Sequence, residues 1–178
     1  KAPKAEKNKK GKKTPIEEKE SYRWIEGLRC AERTAAACLE TTCVCVGDSE
    51  SDIYDVFAAA LQSDQANLQL LVRAGQNRNT TEQQDWADQV RKTAKIGDQT
   101  VSIRSRQAKI GEGKSARSRD REARIAELEI RKATIELRRP VNGDRRLPAT
   151  ITVNVVLCEE VNPPDGEDPI SWMLVTTL

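Results

Sequence analysis

The chain has 178 residues, 37% hydrophobic and 33% charged, enough for one domain with a modest core and a heavily solvated surface. It contains no histidine, which excludes Ser-His and Cys-His nucleophilic triads and any zinc site built on imidazole. The net charge of +2 conceals two basic blocks: residues 1–14 balance at +6 and residues 101–146 at +7, which leaves −11 on the rest.

Two basic blocks around an acidic body suit a protein that grips phosphate with one part and holds metal with another. Solvated loops give the same signature. The five cysteines, Cys30, Cys38, Cys43, Cys45 and Cys158, are odd in number and include no CxxC pair. They read as small core residues of a reducing compartment. With no run of about 18 apolar residues and no signal peptide, the chain reads as soluble and cytoplasmic. It begins at Lys1 and its last run, LVTTL, ends in or just past a strand, so it reads as a piece of a longer protein.

Residues 1–14 are lysine-rich and aperiodic, a disordered basic lead-in. A helix is predicted over 16–39, opened by Pro15 with Glu17 and Glu18 in its first turn, and striped by Trp24, Leu28, Ala31, Ala35 and Cys38. TCVCVG (42–47) reads as a central strand covered on both faces. A helix over about 51–62 and a strand over 68–74 follow, the two strands parallel neighbours in α/β grammar. GQNRNTTE (75–82) reads as a polar loop and 82–94 as a short helix around Trp86 and Val90. From there the pattern turns β: 100–107, 132–139, 149–161 and 170–178 read as strands of an antiparallel sheet. The highly charged stretch from Gly111 to Leu128 reads as a mobile connection. Pro163, Pro164 and Gly166 mark a firm turn.

Asp48 carries the sharpest question. It follows Gly47 at a strand end, where α/β sheets place functional side chains. A carboxylate there can ligate magnesium or manganese, which prefer oxygen. Two such ions about 4 Å apart activate a water and stabilise the leaving oxygen of a phosphodiester. Capping of the next helix by Asp48 or Ser49 explains the same residues, and the motif alone leaves both open. Asp52 and Asp55 read as answering the helix dipole or facing solvent, and Glu50 is ambiguous. The DxDxT/V pattern of dehalogenase-like phosphatases is absent.

VGDSESDIYD (46–55) resembles the VCDREADIY-type segment around the second catalytic aspartate of bacterial cut-and-paste DDE transposases, the group of transposon five and its insertion-sequence relatives. EEKESYRW (17–24) resembles the opening of the preceding helix, and LQLLVRAGQNR (68–78) the following strand. KATIELR (132–138) and ITVNVVLCEEVNPPDGEDPISWMLVTT (151–177) resemble the family's inserted sheet. Coverage runs from about residue 15 to the C-terminus and is thinnest over 80–128.

The resemblance implies a fold: a partial RNase H-like core over 15–79, interrupted by an antiparallel β insertion over 80–178 that returns toward the core. It implies transposition of double-stranded DNA, with cleavage at transposon ends and strand joining by two Mg2+ or Mn2+ ions. Asp48 matches one of three carboxylate ligands; the other two have no counterpart here, so this piece is expected to be inactive alone. Trp172 matches a tryptophan on which a flipped base stacks, and Arg73 and Arg78 fall where the family places basic residues near DNA. By charge alone Arg104, Arg106, Arg117, Arg119, Arg131 and Lys132 are candidate phosphate contacts. The family usually has arginine after this aspartate, and here it is Ser49. A homodimer formed through a region outside this sequence, a nucleoid-associated bacterial location and no membrane partner are further implications. The competing readings are a non-catalytic DNA-binding relic and a metal-dependent nuclease of the same fold.

Overall fold

The protein is seen here as a computed structural model that describes residues 15–76, 78, 80–82, 85–107 and 120–178. The basic lead-in, and the part of the charged connection that holds Arg117 and Arg119, lie outside the described residues. The rest is a mixed α/β chain. Its strands are β1 (Cys43–Gly47), β2 (Leu68–Arg73), β3 (Lys95–Ile103), β4 (Arg124–Arg138), β5 (Thr150–Glu160) and β6 (Ser171–Thr176). The helices are α1 (Tyr22–Ala37), α2 (Tyr54–Leu61) and α3 (Trp86–Arg91). All six strands join one sheet in the order β1-β2-β6-β5-β4-β3. β1 and β2 are parallel, and every other neighbour pair is antiparallel. β6 returns to lie between β2 and β5, so the parallel pair and the hairpins are continuous.

The period of two assigns faces. Cys43, Cys45, Leu68, Leu70 and Val72 share one face with Val175, Val155 and Ile135, and the three helices cover it. Ile25, Leu28 and Ala35 of α1 pack there, as do Val56 and Phe57 of α2 and Trp86 and Val90 of α3. The opposite face holds a smaller cluster of Ile103, Ala126 and Leu128, with Ile170 and Cys158 against it. β4 serves both: its first half buries Ala126 and Leu128 on the small cluster's face, its second half Ile135 and Leu137 under the helices.

Several expectations are corrected. The predicted helix 16–39 is a 3-10 turn, Ile16–Glu18, and then α1, because Lys19 takes extended backbone between them. β1 is an edge strand of the described sheet, with Val44 41% and Val46 69% exposed, rather than a central strand covered on both faces. An apolar run does not say how many layers cover it; the helices all lie on one side. The 51–62 helix starts only at Tyr54, after a 3-10 turn at Ser49–Ser51. Residues 124–128 belong to β4 and not to a mobile connection; Ala126, Leu128 and Ile130 recur at strand spacing beneath the charges. β3 begins at Lys95 and ends at Ile103, so the predicted strand 100–107 is placed too late. All five thiols are free; Cys43, Cys45 and Cys158 are half-buried against the hydrophobic clusters, as core residues, but Cys30 and Cys38 are exposed. Small size permits burial without requiring it.

The turn between β5 and β6 is where it was expected. Glu167 N–H donates to Pro164 O at 3.0 Å, and Gly166 takes φ of 81°, a left-handed conformation that suits glycine. No helix among the described residues is long and apolar enough to cross a membrane.

Candidate functional site

Asp48 leaves β1 one residue after the last ladder pair, Gly47↔Val72, which sets it beside Arg73 at the carboxyl ends of two parallel strands. Its side chain is exposed and accepts the Glu50 N–H at 3.0 Å, while its carbonyl accepts the Ser51 N–H at 3.1 Å and the Ser51 hydroxyl at 2.7 Å. Asp48 thus caps the 3-10 turn, as the simpler reading expected, and still presents a carboxylate to solvent. Glu50 is ion-paired with Arg23 of α1. Among the described residues no group of three His, Cys, Asp or Glu converges, so Asp48 supplies a hard oxygen suited to magnesium or manganese but not a complete set.

Asp52 corrects its expectation. It neither faces solvent nor caps α2, whose cap position is Ile53 with no side-chain bond. It is 1% exposed. One carboxylate oxygen accepts the backbone N–H of Gly75 at 2.8 Å and of Gln76 at 3.0 Å, and the other accepts Arg78 Nε at 2.9 Å. A second Arg78 nitrogen completes the ion pair, and the guanidinium lies 5.3 Å over the Phe57 ring. Arg78 therefore spends its charge internally, which its loop position did not suggest. The sequence signal for this pair is thin: an acid just before a helix usually caps it. Asp55 stands in the first turn of α2, half-buried, and burial raises its pKa. It borders a cleft of about 420 Å³ shared with Lys19, Asp144 and Arg146, which Asp48 does not line.

Three of the remaining candidates, Arg73, Lys132 and Trp172, fall on the open face. Arg73 pairs with Leu174, Leu174 with Val156 and Val156 with Lys132, a single cross-strand row. Arg73 and Lys132, both exposed, end this row about 14 Å apart, three strand spacings. Trp172 lies on the same face two residues along β6 from Leu174, 42% exposed and opposite Cys158. The start of β6 is held on the other face, where the Ser171 hydroxyl donates to Glu159, itself gripped by Arg91 of α3. Arg91 holds the Glu159 carboxyl below the usual range.

Arg104 and Arg106 are exposed beyond β3, away from this row; Arg106 exchanges backbone hydrogen bonds with Arg121 at 2.8 Å. Arg131 turns to the helix face and donates to Thr93 O and Glu129, so it is committed to fold contacts. The structure brings together Asp48, Arg73, Trp172 and Lys132; it separates Arg104, Arg106 and Arg131 from them, and it pairs Arg78 with Asp52. No protein-family model matches the chain.

Proposed function

We propose that this chain is the middle part of the catalytic domain of a DDE transposase, acting on the double-stranded DNA of transposon ends. One observation carries the reading beyond the sequence resemblance. An exposed carboxylate follows the end of a parallel strand pair, and a cross-strand row runs from Arg73 to Lys132, with an exposed tryptophan beside it. Two divalent ions, magnesium or manganese, would supply water activation and stabilisation of the leaving oxygen when bound. In this reading Asp48 contributes one of their ligands, and the others come from chain outside this sequence. Arg73 and Lys132 neutralise phosphates, and Trp172 offers a face to an unpaired base. The finer fold assignment, a partial RNase H-like core with a β insertion, belongs to the same proposal, as do the dimer and the nucleoid location.

A non-catalytic DNA-binding derivative is the second reading. It is favoured by the way Asp48 acts as an ordinary cap, and by Ser49 where the resembled family has a cation.

The test is binding to a labelled duplex carrying one unpaired base, across a salt series. Trp172→Ala is expected to lose about 1–3 kcal/mol on that duplex and little on a fully paired one. Lys132→Ala is expected to weaken both equally and lower the salt slope by about 1. Binding indifferent to Trp172 would leave only a basic surface and end the base-stacking assignment.

A further inference from the structure

We propose that Asp52 is a positioning residue that locks the Asp48 turn to the loop running past Trp172, so that the two ends of the candidate site move as one body. The bearing of this lock on DNA rests on the function proposed above; the lock itself rests on geometry. Among the described residues, the donors that Asp52 accepts come from the loop after β2: the amides of Gly75 and Gln76 and the fork of Arg78. Its own turn is equally tied down, since Ser51 bonds Asp48 O through both its amide and its hydroxyl.

Turn and loop also touch without room for a methyl group. A Cβ at Gly75 would sit 2.7 Å from Ser49 Cβ. The loop then passes the constraint on: the Ala74 N–H donates to Met173 O at 2.7 Å, next in β6 to Trp172. A capping or dipole role would need none of these contacts. A carboxylate removed from water and surrounded by donors from one distant loop acts on that loop.

The test is amide solvent exchange by NMR on the whole chain, with Val153 and Val155 as remote controls. In Asp52→Asn, exchange at Gly75 and Gln76 and also at Glu50 and Ser51 is expected to quicken about tenfold or more, as a shared opening predicts, with the controls unchanged. Arg78→Lys keeps the cation without the fork, and a smaller rise at the same four amides is expected. It carries the readout alone if Asp52→Asn does not fold. Faster exchange confined to Gly75 and Gln76 would overturn the proposal, because Asp52 would then hold only its partner loop. A double-mutant cycle of Asp52→Asn with Trp172→Ala on the unpaired-base duplex separates the two claims. If Trp172→Ala has no effect in the parent chain, the DNA reading falls, and the exchange rates still decide the lock.

Discussion

Two buried carboxylates, each gripped by an arginine, stand at different places along the sheet. Asp52 pairs with Arg78 beside α2, and Glu160 pairs with Arg124 at 2.8 Å where β5 meets β4. Both also draw in a loop by its backbone: Gly75 and Gln76 in one case, Ile170 in the other at 2.9 Å. They differ in what else is at hand. Arg78 is packed on Phe57 within the main core, whereas Arg124 reaches a second carboxylate, Glu167, at 3.1 Å. One pair is closed and irreplaceable; the other is a network at the rim that can lose a member. A buried ion pair is costly to break because the survivor is left short of partners; Arg78 would keep only the Asp52 carbonyl, whereas Arg124 would keep the Glu167 carboxylate.

Truncation separates them. Asp52→Ala is expected to cost about 3–5 kcal/mol in urea unfolding, with the slope unchanged, because Arg78 loses its carboxylate and keeps only the residue 52 carbonyl. Glu160→Ala is expected to cost less, since Arg124 keeps Glu167; an equal or greater loss would erase the distinction. The two hydrophobic clusters should rank the same way. Leu137→Ala, under the helices, is expected to cost about 3–4 kcal/mol, and Leu128→Ala, in the small cluster, nearer 2 kcal/mol, because a thin cluster collapses more easily around a void.

Acid sharpens the contrast further. The Arg124 hydrogen bond holds the Glu160 carboxyl below the ordinary glutamate value of 4.5. A group whose folded pKa is depressed stabilises the fold above its unfolded pKa and loses that contribution as pH falls through the folded one. Stability is therefore expected to drop as pH goes below about 4.5, and to drop less in Glu160→Gln, measured by thermal unfolding across pH. The smallest effect is expected at the open edge. Val46→Lys should change stability by no more than about 0.5 kcal/mol while reducing self-association in light scattering.

The sequence showed the helices and strands wherever one periodicity ran unbroken. α1 is legible from its three-and-four spacing, and β5 from its alternation. Two features were hidden for physical reasons. The first half of β4 buries only Ala126 and Leu128 among charged residues and leaves Ile125 73% exposed, so its alternation reads weakly. Asp52 looked like a helix-start acid, since a cap and a buried pair call for the same residue at the same place. What separated them was Arg78, 26 residues away, which no local pattern connects. Of the candidate site, Asp48, Arg73, Trp172 and Lys132 are all exposed. Their common face emerged only from the register of four strands.

That register makes β4 unusually intolerant of one kind of genetic change. Even-numbered residues of its first half feed one cluster and odd-numbered residues of its second half feed the other, on opposite sides of a single continuous strand. Parity is thus a hereditary constraint. A one-residue insertion or deletion between Leu128 and Ile135 would turn one cluster's side chains toward the wrong side, whichever half kept its pairing. A two-residue change would shift neighbours yet return every side chain to its own face. Length variation in this strand should accordingly be tolerated in steps of two, as a reading frame tolerates steps of three.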